Sequence, residues 1–592
     1  MPQTETTDAL PEWNLNDLYS GRDAAELEND LQAAELAADR FQAGHQGKLE
    51  SLNGAGLAEA VADYERLSEK VYRVMSYAQL LHATHTTDAD VGRFYQTMQE
   101  RLNAITTKTL FFSLELNDID DAVLAGQLSD PAAARYGPWI RDSRAMRPHQ
   151  LDEAQEKLLH EKDVAGRSAW VRLFDETLAH LRFPLDGEDK PLTDTLNQLT
   201  DSDGAKRKAA GQALAQGLRG SERLFATITN TLAKDKEIED RWRKFETPAA
   251  PRHLANRVEA EVVDALAGAV RDSYADLAHR YYGLKARWMG VEKLDWWDRN
   301  APLPEDADRR FSWAEARDTV LQAYGGFEPS MAATAKRFFD EHWIDAPPRE
   351  GKNSGAFAHP TVPSAHPYVL LNFHGKARDV MTLAHELGHG VHQVLAAPQG
   401  LLLGETPLTL AETASVFGEM LTFRAMLDGE TDPARRRVLL AGKVEDMLNT
   451  VVRQISFHEY ETRVHRERRD GELAPERLGD IWVETQRESL GPVFNFDDDY
   501  RVLWAYIPHF IHVPFYVYAY AFGDCLVNAL YAVFQDGHPG FQEKYLDMLA
   551  QGGAKRHKEL LAPFGLDASD PDFWKKGLGV ISGFIDELEA AL

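Results

Sequence analysis

The residues best suited to chemistry in this sequence form the short motif His385-Glu386-Leu387-Gly388-His389. Two histidines four positions apart lie on one face of a helix, with Cβ atoms about 5–6 Å apart, so both imidazoles can reach one metal ion. Zinc readily accepts imidazole nitrogen. Glu386 is turned by about 100° from His385 around the helix, so its carboxylate lies beside the ion and can take a proton from water. The spacing therefore predicts a zinc site with its own general base.

A catalytic zinc site usually has a third protein ligand and keeps one position open for water. His392 lies on the same helical face as His385 but about 10.5 Å further along the axis, too far for one ion without breaking the helix. We therefore expect His392 to pack, or to support a ligand, rather than to bind the metal. The next segment offers three glutamates at seven-residue spacing, namely Glu405, Glu412 and Glu419.

Residues 406–419 are expected to form one helix, with Pro407 in its first turn and Thr406 as the cap. Only one glutamate of the series can reach the ion, because helical residues seven positions apart are about 10.5 Å apart along the axis. Glu405 falls outside the helix, and Glu419 lies two turns further along. Small residues flank Glu412, where two helices could approach closely. We favour Glu412 as the third ligand, which gives a His₂Glu site.

The elements that must hold these residues follow from apolar periodicity. Spacing of three and four residues predicts helices at 57–81, at 201–243 and throughout the chain after residue 380. The clearest strand is 368–373, and 355–359 could pair with it. We therefore expect a mainly α protein, with a small β-sheet beside the zinc-binding helix.

The division of the chain is predicted from its length and from one turn. A chain of 592 residues exceeds one compact core, so two or more subdomains are expected. Asp186-Gly187 lies between short apolar pieces and predicts a tight hairpin. We place the junction near it, between an N-terminal helical region (1–195) and a catalytic region (196–592).

The amino-acid composition makes some classes of binding partner and some cellular locations unfavourable. The formal net charge of −29 repels nucleic-acid phosphates and anionic lipids, so neither is expected to bind. The lone Cys525 permits no internal disulfide, which suits a reducing compartment. The start of the chain lacks the pattern of a signal peptide, and polar residues interrupt the apolar stretch 507–534, which favours a buried helix over a membrane span. We expect a cytoplasmic protein.

Several stretches besides the zinc motif resemble peptidase family M3, in particular its bacterial oligoendopeptidase F branch. Together they span nearly the whole chain, and their combination is far more specific than the five-residue motif alone. The resembling stretches are 13–19, 355–357, 367–373, 382–392, 411–415, 507–510 and 514–521. The resemblance implies a multi-helical fold with a deep substrate channel between two halves.

The resemblance also implies the site. One zinc ion is expected on His385, His389 and Glu412, with Glu386 as general base. Substrates are expected to be short peptides, because a deep site excludes folded proteins.

The strand at Gly355, Ala356 and Phe357 is expected, from the same resemblance, to pair with the backbone of the bound peptide as an added strand. This pairing would hold an extended substrate beside the metal.

A late segment is expected, again by resemblance, to bind the oxyanion that forms on the substrate carbonyl. His509 and Tyr518 are the first choices there, and Tyr516 is the next. Many relatives carry a tyrosine where this chain has Ile511, so either another tyrosine substitutes or that donor is absent.

The predicted function is a zinc-dependent oligoendopeptidase that cleaves internal bonds of short peptides with a metal-activated water. One alternative is a zinc carboxypeptidase, which trims residues from a free C-terminus. Another is a peptide-binding protein with a structural zinc, but structural sites usually have four protein ligands and need no base such as Glu386.

Overall fold

The computed structural model describes residues 10–303 and 309–590. These residues form two compact units, each assembled from three segments of the chain. Within the described part, the first unit takes segments from Met1–Arg147, Asp308–Gly429 and Gly537–Gly565. The second unit takes segments from Pro148–Ala307, Glu430–Asp536 and Leu566–Leu592.

Helices account for most of the chain. Those before residue 290 are α1 (Ala25–His45), α2 (Gly54–Thr84), α3 (Ala89–Thr107), α4 (Leu110–Asp118), α5 (Asp121–Gln127), α6 (Pro131–Ala134), α7 (Gly137–Ser143), α8 (Glu153–Asp163), α9 (Arg167–His180), α10 (Leu192–Asn197), α11 (Gly204–Arg219), α12 (Glu222–Trp242), α13 (Ala250–Ala255), α14 (Ala260–Asp272) and α15 (Arg280–Trp288).

The remaining helices lie after residue 310. They are α16 (Trp313–Phe327), α17 (Pro329–Asp340), α18 (Ala377–Ala396), α19 (Leu401–Gly404), α20 (Leu408–Ala411), α21 (Thr413–Gly429), α22 (Pro433–Thr450), α23 (Val452–Arg468), α24 (Pro475–Leu490), α25 (His509–His512), α26 (Tyr518–Gln535), α27 (Phe541–Ala550), α28 (His557–Leu561) and α29 (Pro571–Ala590). None of the described helices is long and apolar enough to cross a membrane.

In the residues that the structure describes, short strands form three small sheets. The first unit contains β4 (Ile344–Asp345), β5 (Phe357–His359) and β6 (Tyr368–Leu370) in the order β4-β6-β5. β6 pairs parallel with β4 and antiparallel with β5. In the second unit, β1 (Phe183–Leu185) and β2 (Glu188–Lys190) form a hairpin, and β3 (Leu294–Asp295) pairs parallel with β7 (Phe494–Asn495).

The mainly α fold with a small sheet beside the motif's helix is confirmed, and so are the hairpin at Asp186-Gly187 and the pairing of 355–359 with the later strand. The strand prediction was too long, because only Tyr368–Leu370 is paired as a strand. The expectation of helices alone after residue 380 missed β7, whose two residues are too few for a periodic signal.

The predicted helix at 406–419 is in fact two helices. It is interrupted at Glu412, the C-cap of α20, and Pro407 rather than Thr406 occupies the N-cap position. α21 starts directly afterwards at Thr413, where the Tyr545 hydroxyl donates to the Thr413 carbonyl at 2.8 Å. The break lets the backbone change direction at the glutamate that the sequence favoured as a ligand.

α18 and α21 make the closest helix pairing around the motif. A Cβ built on Gly388 would lie only 2.4 Å from the Ala414 carbonyl oxygen, so a side chain at 388 would keep the two backbones apart. On the other face of α18, a Cβ on Gly390 would meet the ring of Phe338 at 2.5 Å. The glycines of this stretch thus allow α18 to be packed closely on two sides.

Candidate active site

α18 presents the three polar residues of the motif towards one place. Its apolar residues, among them Val380, Leu383 and Leu387, are fully buried, which fixes the rotation of the helix about its axis. With that face buried, His385 and His389 keep partly exposed side chains one turn apart, and their ring centroids are 5.0 Å apart. The i, i+4 prediction is therefore realised on a regular helix.

Glu412 brings its carboxylate to both histidines. Its Oε2 atom lies 3.3 Å from His385 Nε2 and 3.5 Å from His389 Nε2. One donor atom from each of the three residues lies within 4.8 Å of the others, and this is the arrangement a metal ion requires. His392, by contrast, is buried among helices, with its Nε2 atom 3.3 Å from the Thr406 hydroxyl.

The distances fit a zinc ion. Ligand atoms at about 2.0–2.1 Å from a tetrahedral zinc are separated from one another by roughly 3.3–3.4 Å. The two separations from Glu412 Oε2, 3.3 and 3.5 Å, are close to this value. Two neutral imidazoles and one carboxylate are also the ligand types of catalytic His₂Glu zinc sites.

Two further side chains hold the ligands in place. The Ser415 hydroxyl donates to Glu412 Oε2 at 2.6 Å, one turn into α21. Glu419, another turn along, has its Oε2 atom 3.2 Å from His385 Nδ1, on the side of the ring away from Glu412. A carboxylate in this position fixes the ring orientation of a metal-binding histidine and makes it more basic. The seven-residue spacing from Glu412 predicted Glu419 only as an alternative ligand, not as a partner of His385 Nδ1.

The two histidines have opposite electrostatic environments. Burial on its own lowers the pKa of His385, but the hydrogen bond to Glu419 and the charges of Glu412 and Glu386 raise it to about 9. For His389, burial dominates and lowers the pKa to about 4. Without a metal ion, the neighbouring carboxylates favour the protonated form of His385, whereas burial favours the neutral form of His389. The proton on His385 must leave when a cation binds.

Glu386 is buried, with 6 % of its surface exposed. Burial raises the pKa of its carboxyl to about 7, in spite of the opposing charge of His385 and a backbone hydrogen bond from Ala358. A carboxyl group with a pKa near the working pH exchanges protons readily in both directions, as a general base and acid must do.

The edge strand β5 lies against α18. Ala358 is bound on both of its backbone groups by this helix, since its N–H donates to Glu386 and its carbonyl accepts from Gln393 Nε2 at 3.2 Å. Upstream, Gly355 and Ala356 are exposed, and the Gly355 carbonyl accepts from Asn372 Nδ2 at 3.1 Å. β5 is at the edge of its sheet, so backbone groups of this segment face away from β6.

Comparison with known proteins decides the family. The sequence profile of peptidase family M3 matches residues 198–580, and a profile described as oligopeptidase F matches residues 115–183. The chain belongs to peptidase family M3. It is therefore a metallopeptidase, and the resemblance to this family that the sequence motifs indicated is confirmed.

Relatives and solved structures extend the comparison over the whole chain. Oligopeptidase PepF of Bacillus subtilis is 26 % identical over 100 % of this chain and 89 % of its own length. Group B oligopeptidase PepB of Streptococcus agalactiae is 27 % identical over 90 % of this chain and 89 % of its own. The crystal structure of oligoendopeptidase-F from Enterococcus faecium has a TM-score of 0.71 at 22 % identity, covering 96 % of this chain and 98 % of that one. A crystal structure from Chlamydophila abortus has a TM-score of 0.89 at 22 % identity, covering 98 % of each chain.

The late segment of this M3 chain belongs to the second unit. His509 begins α25, and its Nε2 atom is 3.3 Å from the hydroxyl of Tyr520, which is 37 % exposed. The ring of Tyr516 is stacked at 6.3 Å from that of His509. Ile511 is buried, with 4 % of its surface exposed.

Tyr518 differs from its neighbours. It is fully buried, and its hydroxyl accepts from Asn256 Nδ2 at 2.9 Å and lies 3.0 Å from His253 Nδ1. Burial raises the pKa of the Tyr518 phenol, although the hydrogen bond from Asn256 acts in the opposite direction. The hydroxyl group thus ties α26 to α13.

The backbone between α25 and α26 is held by a buried acid. Phe515 has a φ of +60°, a left-handed conformation that costs a bulky residue about 1–3 kcal/mol. Its N–H donates to Glu461 Oε1 at 2.8 Å, and the Phe515 side chain is 1 % exposed. Burial raises the pKa of Glu461 to about 8. No local sequence pattern predicts this contact between Glu461 and Phe515, because the two residues are 54 positions apart.

Proposed function

We propose that this M3 peptidase is a zinc-dependent oligoendopeptidase that cleaves internal bonds of short peptides. The observation that carries the proposal is the meeting of His385, His389 and Glu412 at zinc-ligand separations, with Glu386 on the same helix. The names of its relatives support the oligopeptidase part of the proposal.

His385, His389 and Glu412 would hold the ion. When bound, a zinc ion in such a site acts as a Lewis acid and lowers the pKa of a water to around 7. Glu386, a buried carboxylate on the same helix as the two histidines, would take up the proton that the attacking water gives away and pass it to the amine that leaves. Its burial keeps bulk water from competing for that proton.

The substrate backbone is proposed to lie along the edge strand. The exposed residues Gly355 and Ala356 lead into Phe357 at the start of the edge strand β5, and an extended peptide could add to this edge as a strand. Ala358 is already engaged by Glu386 and Gln393, so pairing is proposed upstream of it.

For the developing oxyanion, we propose His509 as the donor, with Tyr516 beside it. Burial lowers the pKa of His509, which keeps its imidazole neutral and able to donate one N–H. Tyr518 stays a predicted donor to the oxyanion. In this structure its buried hydroxyl contacts Asn256 and His253. We add the exposed Tyr520, whose hydroxyl lies 3.3 Å from His509 Nε2, as a further candidate donor.

The test is mass spectrometry of a mixture of peptides that are blocked at both ends, about 5 to 30 residues long. The purified protein is incubated with them alone, with a chelator, and with zinc restored. Internal cuts in the shorter peptides, lost on chelation and regained with zinc, are the expected result. Removal of residues only from an unblocked C-terminus would support a carboxypeptidase instead. No cuts by folded, zinc-loaded protein would leave a peptide-binding protein.

A further inference from the structure

The backbone groups of β5 alternate between the inside and the outside of the sheet. In β6, the N–H groups of Val369 and Leu371 donate to carbonyls on the β4 side, at 2.9 and 3.0 Å. Backbone direction alternates along a strand, so Leu370 faces the other way, towards its partner Phe357 in β5. Phe357 therefore uses its backbone groups inside the sheet, and the residues on either side of it direct theirs outward.

The two outward-facing residues differ in what they contact. Ala358 is engaged by α18, where Gln393 Nε2 donates to its carbonyl at 3.2 Å. Ala356 is exposed, and in residues 10–303 and 309–590 neither its N–H nor its carbonyl has a hydrogen-bond partner. Ala356 thus offers one donor and one acceptor at the edge of the sheet.

The residue before Ala356 is occupied by side chains on both of its backbone groups. Asn372 Nδ2 donates to the carbonyls of Asn353 at 3.0 Å and Gly355 at 3.1 Å. A side-chain amide has two N–H protons, so both bonds can form together. The Gly355 N–H donates to Asn353 Oδ1 at 2.8 Å. The free part of the edge therefore begins at Ala356.

Asn372 lies where the next pair of the antiparallel ladder would be. Phe357 is opposite Leu370, so continuing the same register would place Gly355 opposite Asn372. It is the Asn372 side chain that binds the Gly355 carbonyl. The chain can thus turn away from β6 at Gly355 while it stays tied to the sheet.

The loop that Asn372 holds is also anchored on α2. The Gly351 carbonyl accepts from the Thr86 N–H at 2.6 Å, and the Asn353 N–H donates to the Ala83 carbonyl at 2.8 Å. All of these residues belong to the first unit, as do the candidate metal ligands. Asn372 therefore joins an anchored loop to the sheet that packs on the motif's helix.

We propose that Asn372 is a positioning residue for the substrate, because it shapes the edge so that a bound peptide pairs with Ala356 through two backbone hydrogen bonds. The Ala356 carbonyl accepts from a peptide N–H, and the Ala356 N–H donates to a peptide carbonyl. The inference rests on the proposed peptidase function and deepens it, because it restricts substrates to extended peptides with an unsubstituted amide at this position. Proline or an N-methylated residue there lacks the N–H and should be disfavoured.

The experiment is an ester scan of one short, end-blocked peptide. One amide at a time, other than the bond that is cut, is replaced by an ester, which removes one N–H. For the zinc-loaded wild-type protein, we expect a position at which the ester raises KM about 3- to 10-fold, the effect of one hydrogen bond. The kcat should stay unchanged, because this bond is made equally in the ground state and the transition state. Mass spectrometry confirms that the cut bond is the same.

Variants assign this amide-to-ester difference to Asn372. Asn372→Ala and Asn372→Asp both lack the donor, and Asp has nearly the same shape. Each should raise KM for the parent peptide to that of the ester, with zinc affinity unchanged, so that the two KM values become equal. Asn372→Ser keeps one donor and should keep part of the difference. Gln399→Ala is the matched control, because Gln399 Nε2 also donates to a carbonyl, that of Ala550 at 2.9 Å, and its loss should leave the difference intact.

Binding without turnover separates this inference from the proposed function. The Kd values of the amide and ester peptides are measured by calorimetry on zinc-loaded Glu386→Gln protein. Weaker binding of the ester, with the difference lost when Asn372→Ala is added, supports the assignment even if the wild type cleaves no peptide. Cleavage by the wild type with the same KM for the amide and every ester overturns the inference and leaves the peptidase function standing. A difference that persists in Asn372→Ala and Asn372→Asp overturns the inference as well.

Discussion

The replacement Gly388→Ala tests whether close packing of α18 on α21 positions the metal ligands. The added Cβ would lie 2.4 Å from the Ala414 carbonyl oxygen and 2.6 Å from Ser415 Cα. Atoms of this kind are normally about 3.5 Å apart, so the two helices must separate by roughly 1 Å. Ser415 carries the hydrogen bond to Glu412, so Glu412 moves with α21. Metal-ligand distances tolerate deviations of only about ±0.2 Å. We therefore expect zinc affinity to fall at least about tenfold, which is the loss typical of removing a residue that supports a ligand.

Zinc affinity is measured by competition with a chromogenic chelator, and stability by thermal unfolding of the metal-free protein. Overpacking should also lower the free energy of unfolding by about 1–3 kcal/mol. Gly92→Ala is the control, because Gly92 lies in α3 with no atom within 4 Å of the added Cβ. The control should bind zinc normally and gain up to about 1 kcal/mol, since alanine favours the helix. Wild-type zinc affinity in Gly388→Ala would refute this reasoning.

Three further changes test the supporting residues. Ser415→Ala removes the 2.6 Å bond to Glu412, and Glu419→Gln weakens the contact 3.2 Å from His385 Nδ1. Each should lower zinc affinity about 10–100-fold in the chelator competition with little change in melting temperature, and unchanged affinity would count against the assigned role. Burial raises the pKa of Glu461 from 4.5 to about 8. Its contribution to stability is therefore full below the unfolded pKa and lost as the pH rises towards 8. Glu461→Gln cannot ionise at this position, so its melting temperature should change less with pH than that of wild type between about pH 4.5 and 8. Parallel curves of melting temperature against pH would contradict this.

The candidate metal ligands on α18 were accessible to sequence reasoning because their geometry is local. His385 and His389 are related by one helical turn, so the spacing alone fixes their common face. Glu412 was harder to assign, since three glutamates shared the same spacing. The small residues beside it were the deciding signal, and the close approach at Ala414 and Ser415 shows why they are small.

What the sequence did not reveal depends on contacts between distant parts of the chain. The break at Glu412 contains no helix-breaking residue, and the Tyr545 hydroxyl, from far along the chain, donates to the carbonyl of Thr413 just after it. Tyr518 was a first choice for catalysis, yet its hydroxyl is occupied by His253 and Asn256, which lie more than 250 residues earlier in the chain. The strand β4 is two residues long and exists only because β6 pairs with it.

The most direct test of the account is the metal content and turnover of Glu386→Gln, with Glu405→Gln as control. Glu405 belongs to the same series of glutamates as Glu412 but is not among the three grouped ligands. We expect the Glu386 variant to retain one zinc ion per chain and its kcat on an end-blocked peptide to fall at least about 10²-fold. The Glu405 variant should keep the wild-type zinc content and the wild-type kcat. A zinc-loaded Glu386→Gln protein that cleaves at the wild-type rate would contradict the assignment of the general base.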